Sequence, residues 1–244
     1  MAPRPSQLGL WQYIIRTLYL FSILQSLDAN ELVQNQCRNG NVSYVKAAME
    51  EFGADAVFNA TASHPSFSGW LGLTCLIMAA GYGQNDLVTL LLANGVEVDQ
   101  REYFERTALH NAALSGHAKT TMILLDAGAE IDARDHFRQT ALHYAAGNIL
   151  ALNNHTNTIT ILLDAGAEVD ARDEHGQTAL HWAVKMRHGH TNATRILVDA
   201  GAEVDARDFL DWTPLHEFTS WDNAIEISNL VCLFVNQKSV SLVS

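Results

Sequence analysis

Basic residues are scarce in this sequence. Its 244 residues include 15 Lys and Arg against 27 Asp and Glu, which gives a formal net charge of −12 at pH 7 with histidine neutral. Proteins that bind nucleic acid neutralise its phosphates with Lys and Arg side chains. The charge balance therefore argues against nucleic acid as a partner. Apolar residues make up 48% and charged residues 17%, a composition typical of an ordered, soluble protein.

Cysteine is also rare. Cys37, Cys75 and Cys232 are odd in number, far apart in the sequence and not part of any C-x-x-C pair. This pattern argues against a disulfide framework and against a cysteine zinc site. We therefore expect a reducing compartment, with a cytoplasmic location as the simplest interpretation.

A long uninterrupted apolar run is missing, although residues 8–27 come near to one. A membrane-spanning helix needs roughly 20 apolar residues with few or no charges, and Gln12, Arg16 and Ser22 interrupt this stretch. A secretory signal needs a small-residue cleavage site, and residues 26–29 make a poor one. We expect residues 1–27 to form an extension whose apolar helix packs on the first repeat or on a partner. The alternative is that residues 8–27 act as a signal, an anchor or a membrane-surface segment, which would make the protein secreted or membrane-associated.

The motifs of common enzyme classes are absent as well. The sequence has no G-x-S-x-G nucleophile elbow, no phosphate-binding P-loop, no dinucleotide-binding glycine motif and no H-E-x-x-H zinc motif. The many Asp and Glu residues recur at a regular spacing, which explains them without catalysis. We therefore expect a protein that is not an enzyme and that needs no cofactor.

What the chain does have is internal repetition. The phrase A-G-A-E-I-D-A-R-D followed by T-A-L-H occupies residues 127–143, and close copies lie at 165–181 and 200–216, with a looser one at 94–110. The motif threonines at 74, 107 and 140 are 33 residues apart, and the next two steps are 38 (140 to 178) and 35 (178 to 213). A period near 33 that carries T-x-L-H resembles the ankyrin repeat.

This resemblance covers about residues 28–236 and implies an all-α fold. The expected architecture is an ankyrin-repeat α-solenoid, in which paired antiparallel helices carry β-hairpin fingers, preceded by the apolar N-terminal helix. A two-helix unit cannot bury its apolar face alone, so each repeat must stack on its neighbours. The predicted repeat domain is 28–240, with repeats at about 28–69, 70–102, 103–135, 136–173, 174–208 and 209–240.

Two sets of motif residues are expected to be structural. In the family, the histidine of T-x-L-H looks bonded to the motif threonine and to a neighbouring finger's backbone, and a glycine ends each second helix in a left-handed conformation. One histidine per repeat places the rings too far apart to share a metal, so no metal site is expected. The structural residues are Thr107, His110, Thr140, His143, Thr178, His181, Thr213, His216, Gly128, Gly166 and Gly201.

Variable positions inside the constant repeat frame are the predicted partner-binding residues. In this family the exposed finger tips contact partner proteins, and Tyr, Trp and Arg are enriched in interface hot spots. The tip positions are Tyr103, Phe104, Arg106, His136, Phe137, Gln139, Glu174, His175, Gln177, Phe209, Leu210 and Trp212. The first helices add Leu114, Ser115, Lys185, Met186, Ser220 and Trp221 on the concave side.

The function expected from this resemblance is protein–protein interaction or scaffolding. Acidic residues recur along the fingers, so we expect a partner protein with basic and apolar features. The alternative is a membrane-associated anchor or targeting adaptor, in which residues 8–27 engage a membrane and the repeats recruit cargo.

The sequence departs from the family pattern in two places. A turn glycine is present in the fingers only as Gly176, whereas Glu105, Arg138 and Asp211 stand at the same position elsewhere, which predicts strain if these sites need a positive φ. Ile77 stands where the other motifs carry histidine. The corresponding hydrogen bond is therefore expected to be absent from the second repeat.

Overall fold

A computed structural model of the chain describes residues 35–52, 74–147, 155–185 and 191–219. Over these ranges the regular secondary structure is helical throughout, beginning with a short helical segment at 35–38. The helices are α1 (Val42–Phe52), α2 (Cys75–Gly81), α3 (Asn85–Ala93), α4 (Ala108–Leu114), α5 (Ala118–Asp126), α6 (Ala141–Gly147), α7 (His155–Asp164), α8 (Ala179–Lys185), α9 (Thr191–Asp199) and α10 (Pro214–Thr219). These pairs confirm the predicted all-α repeat fold.

The helices form two parallel rows. The inner row consists of α2, α4, α6, α8 and α10, each of which packs against the next, and the outer row consists of α1, α3, α5, α7 and α9. Inner helices carry buried alanines such as Ala79, Ala112 and Ala145, and their small side chains allow neighbouring helices to approach closely. Outer helices contribute larger buried side chains, among them Leu91 and Leu124. One continuous apolar core therefore runs between the rows, as stacking of repeats requires.

Local sequence determines where the outer helices end. The N–H of Ala129 donates to the carbonyl of Leu124 over 3.0 Å, which closes the last turn of α5. This bond requires the intervening Gly128 to adopt a φ of +88°, a conformation that glycine reaches at little cost. Gly166 and Gly201 have φ values of +93° and +92° at the same position. All three glycines therefore have a left-handed conformation after the end of an outer helix.

The fingers between repeats are built from turns rather than strands. In the finger at residues 127–139, the N–H of Asp135 donates to the Gln139 carbonyl over 3.0 Å. The Asp135 carboxylate accepts from the N–H groups of Phe137 and Gln139 over 2.9 and 2.8 Å. One backbone hydrogen bond between Asp135 and Gln139 does not make a β-ladder. In the described ranges, the fingers predicted as β-hairpins are therefore tight turns.

The strained positions predicted at the finger tips are present. Glu105, Arg138 and Asp211 have φ values of +61°, +59° and +62°, and Gly176 has +78° at the equivalent position. Non-glycine residues in this region each cost of order 1 kcal/mol or more. Three fingers therefore hold a conformation that their sequence does not favour.

The expectation that the cysteines are unpaired is wrong. Cys37 and Cys75 form a disulfide, with Cα atoms 5.4 Å apart across a sequence separation of 38 residues. Stacking brings the segment before α1 against the start of α2, so distance along the sequence does not indicate distance in space. An odd number of cysteines does not exclude one pair, and Cys232 lies outside the described residues. The cysteine pattern therefore does not support the inference of a reducing compartment.

Several predictions concern residues that lie outside the described ranges. They include the N-terminal apolar helix, with residues 8–27, and the concave-side positions Met186, Ser220 and Trp221. Within the described ranges, every helix is too short or too polar to span a lipid bilayer.

Candidate protein-interaction surface

Buried histidines connect each repeat to the finger of the next. The backbone N–H of Thr140 donates to Nδ1 of His143 over 3.1 Å, and Nε2 of His143 lies 3.2 Å from the Gln177 carbonyl. Because Nδ1 accepts, the ring proton is assigned to Nε2, which donates to that carbonyl. The same geometry joins His110 to Gln139 and His181 to Trp212. Each of these three histidines therefore joins its own repeat to the following finger.

These rings are held in the neutral state. Burial lowers the pKa of His110, His143 and His181 below the ordinary histidine value, although backbone hydrogen bonds and nearby carboxylates act in the opposite direction. A neutral ring is the form that this geometry requires, with one acceptor and one donor nitrogen. In the described part of the chain, no three His, Cys, Asp or Glu side chains group as metal ligands would.

Arginines connect successive fingers along their outer edge. The Arg101 guanidinium donates to the Arg134 carbonyl over 2.7 Å and pairs with Glu130 at 3.7 Å. Arg134 bonds in the same way to the Arg172 carbonyl, at 2.7 Å, and to Glu168, at 3.5 Å. The third such arginine, Arg172, contacts the Arg207 carbonyl and Glu203. This confirms the prediction that the recurring Arg and acidic residues pair between fingers.

Backbone bonds complete the contact between fingers. The N–H groups of His136, Glu174 and Phe209 donate to the carbonyls of Phe104, Phe137 and His175, at 2.9, 2.9 and 3.0 Å respectively. Aspartates add a further bond, as Asp132 accepts from the N–H of Glu168 over 3.0 Å. The tips are therefore fixed relative to one another, and little conformational entropy would be lost when a partner binds them.

Large apolar side chains are exposed at these fixed tips. Tyr103 is 65% exposed, Phe209 71%, Leu210 75% and Trp212 43%. Three of the four are the most exposed large apolar residues of the described chain. The Phe209 ring packs over Gly176, where an added Cβ would lie 2.7 Å from it, so one face of this ring contacts the preceding finger while the remainder is open to solvent.

The first two fingers in the described part of the chain share an aromatic contact. The rings of Phe104 and Phe137 stack with centroids 6.2 Å apart, and the Arg106 guanidinium lies 5.5 Å from the Phe104 centroid. Arg106 Nε also donates to Glu102 Oε1 over 2.9 Å. Phe104, Phe137 and Arg106 are half-buried as a result. These three side chains therefore stabilise the finger tips, and their exposed parts remain available to contact a partner.

Two predicted tip residues are not exposed. Gln139 is 9% and Gln177 6% exposed, and Gln177 Nε2 donates to Glu217 Oε1 over 2.9 Å. Glu217 lies on α10, so the Gln177 side chain contacts an inner helix. The burial of both glutamines does not fit the expectation that they contact a partner directly. The predicted positions His136, Glu174 and His175 are exposed.

Beside the fingers, the inner helices present a polar and aromatic surface. Tyr144 OH donates to Asp135 Oδ2 over 2.7 Å, and Trp182 Nε1 donates to Asp173 Oδ2 over 3.1 Å. Burial and the bond to Asp135 raise the pKa of Tyr144. Of the predicted positions on these helices, Leu114 and Ser115 are half-buried and Lys185 is exposed.

Sequence reasoning missed the two half-buried aromatic residues of this surface. Tyr144 and Trp182 each directly follow the histidine of T-x-L-H. That position varies between repeats and could have identified them as part of the surface.

Comparison with known proteins agrees with this geometry. A family model described as Ankyrin repeats (3 copies) matches residues 76–173 and 135–208, which together span 76–208. No curated protein gives a significant match to the chain.

Proposed function

Because the chain belongs to the ankyrin-repeat family, whose repeats generally act as protein-interaction modules, we propose that it is a non-enzymatic scaffold. It holds a partner protein at the finger tips and on the adjoining inner-helix surface, and it uses no cofactor. The observation that carries this proposal is the exposure of Tyr103, Phe209, Leu210 and Trp212 on fingers that are hydrogen-bonded to one another. Rigid aromatic side chains are favourable binding anchors because they bury a large area at low entropic cost.

Charge supports a partner that combines basic and apolar groups. The chain has a net charge of −12, and Glu130, Glu168 and Glu203 remain 56–63% exposed although each pairs with an arginine. A positive partner would be attracted to this edge and oriented by it. The exposed aromatic tips would then supply the apolar contact.

The experiment that tests this proposal is affinity capture with a paired tip variant. Tyr103→Ser and Leu210→Ser are combined in the full chain, because both side chains are mostly exposed and their loss should leave the fold intact. Captured proteins are compared with those of the wild type by quantitative mass spectrometry. We expect the partner to be lost from the tip variant while circular dichroism remains unchanged.

The matched control is Met122→Ser on α5. Met122 is 47% exposed on an outer helix, so this variant removes a similar apolar side chain away from the fingers. It should retain the partner. Loss from both variants would indicate nonspecific apolar adhesion, and retention by the tip variant would place recognition elsewhere on the chain.

A further inference from the structure

The structure contains three copies of a binding site for an arginine side chain. In each copy, a glutamate carboxylate and a backbone carbonyl four residues later receive a guanidinium from the preceding finger. The three filled sites are Glu130 with the Arg134 carbonyl, Glu168 with the Arg172 carbonyl and Glu203 with the Arg207 carbonyl. The arginines that fill them are Arg101, Arg134 and Arg172.

The first described finger carries a fourth copy. Glu97 and the Arg101 carbonyl have the same four-residue spacing, and Glu97 is exposed. Within the residues that the structure describes, the Glu97 carboxylate has no cationic neighbour within ion-pair distance. In the same part of the chain, the Tyr103 N–H has no acceptor, although the equivalent N–H of His136 donates to the Phe104 carbonyl.

The sequence explains why the fourth site lacks an arginine. In the other copies, the guanidinium comes from the finger before the glutamate. The segment that precedes α2, residues 53–73, contains neither lysine nor arginine. A lysine or arginine of this segment therefore cannot fill the site at Glu97 as Arg101, Arg134 and Arg172 fill theirs.

We propose that this site, formed by Glu97, the Arg101 carbonyl and the Tyr103 N–H, binds an arginine on an extended segment of a partner protein. This inference rests on the proposed function and specifies the partner's chemistry. The guanidinium would bond to the Glu97 carboxylate and the Arg101 carbonyl together, and a backbone carbonyl of the segment would accept from Tyr103. Arginine fits better than lysine because its planar fork reaches two acceptors at once.

Neighbouring residues suit such a segment. The Tyr103 ring is 65% exposed beside the site and contacts Phe104 edge-on, with centroids 5.1 Å apart. A guanidinium or an apolar side chain next to the arginine could pack on this ring. The net charge of −12 favours approach of a basic segment.

The test uses a peptide that copies residues 167–177 of the chain itself, which include Arg172, with its four acidic residues changed to the corresponding neutral amides so that the negative chain does not repel it. It is titrated into the 15N-labelled full chain and followed by amide chemical shifts. We expect saturable shifts at Glu97 and Tyr103. The same peptide with Arg172→Gln should bind about tenfold more weakly, and with Arg172→Lys it should bind with intermediate affinity.

Matched protein variants locate the site. Glu97→Gln should weaken peptide binding about tenfold, whereas Glu168→Gln should leave it unchanged because Arg134 already pairs with Glu168. Both side chains are exposed, and circular dichroism confirms that each variant is folded. The proposal is overturned if no saturable shift occurs at Glu97 and Tyr103, if both variants bind the peptide equally well, or if the Arg172→Gln peptide binds like the original.

The outcome separates this inference from the proposed function. If the peptide fails to bind at Glu97 while the tip variant loses its captured partner, only the arginine site is wrong. If the peptide behaves as expected while the tip variant keeps its partner, the proposal of an arginine site stands, and the finger tips are not the main binding anchors.

Discussion

The contact between two successive helix pairs is here called a joint. The joint between the first pair, formed by residues 35–38 and α1, and the second pair, formed by α2 and α3, differs from the joints that follow it. Between the later repeats, a buried histidine and an arginine each bond to the next finger, as His143 and Arg134 do. The helix α2, which follows this joint, has the buried Ile77 at the histidine position, so it cannot make the corresponding side-chain bond to the finger before α4. That joint contains the Cys37–Cys75 disulfide and the bond from Gln84 Nε2 to the Arg38 carbonyl, at 2.9 Å.

The comparison shows that similar helix stacking can be stabilised by different chemistry. Polar bridges require neutral histidines and therefore respond to acid. A disulfide responds to reductant and is indifferent to mild acid. The two regions should consequently lose stability under different conditions, although one apolar core runs through both.

The largest effect is expected from His143→Ala. The change leaves the buried Thr140 N–H without its acceptor, removes one of the two donors to the Gln177 carbonyl and opens a cavity. We expect a loss of about 3 kcal/mol in the free energy of unfolding, measured by urea denaturation. His136→Ala is the control, because His136 is exposed at a tip, and it should change stability by no more than about 0.5 kcal/mol. Similar losses for the two variants would contradict a bridging role for His143.

A smaller, localised effect is expected when the disulfide is removed. Cys37→Ala combined with Cys75→Ala should cost about 2 kcal/mol, mainly in the region around α1, because the later repeats keep their own bridges. Limited proteolysis should then cut near residues 42–52 faster than in the wild type. Cys232→Ala is the control and should leave the cleavage rate unchanged. Equal acceleration of cleavage across the chain would show that the disulfide stabilises the whole array instead.

Acid should weaken the histidine joints. Burial lowers the pKa of His143 in the folded chain, whereas an unfolded histidine has a pKa of about 6.5. The unfolded state therefore binds more protons, so the histidine contribution is complete above about pH 6.5 and is lost as the pH falls below it. Urea midpoints between pH 7.5 and 5 should show this decline, and it should be shallower for His143→Ala. An equally steep decline in that variant would assign the acid sensitivity to other groups.

The smallest effect is a gain at a strained tip. Arg138→Gly should stabilise the chain by about 0.5 kcal/mol, since it removes the cost of a φ of +59° but adds entropy to the unfolded state. Thermal unfolding would measure it. The converse change, Gly176→Ala, should destabilise, because φ is +78° and an added Cβ would meet the Phe209 ring. Stabilisation by Gly176→Ala would contradict this account of the tips.

Most of the repeat frame could be predicted from the sequence because its determinants are local and recur. The T-x-L-H motif predicted the bonds of His110 and His143, and the glycine after each outer helix predicted its positive φ. The same regularity identified Glu105, Arg138 and Asp211 as strained positions. Each of these inferences depends on residues within one repeat or its direct neighbour.

Contacts that depend on stacking could not be predicted in this way. The Cys37–Cys75 disulfide joins residues with no shared motif. The burial of Gln139 and Gln177 depends on how a finger lies against the inner helices. The arginine site proposed at Glu97 became recognisable only when the three filled copies in the described residues showed what such a glutamate binds.

The most direct test of the two-joint account is residue-resolved hydrogen exchange of the native chain under two perturbations. Reductant at pH 7 should accelerate exchange in α1 and at the start of α2 and leave α4 to α8 unchanged. Moving to pH 5.5 without reductant, after correction for intrinsic exchange rates, should accelerate exchange in α4, α6 and α8 more than in α1. If both perturbations open the same residues, the two joints are not independently stabilised and the central comparison is wrong.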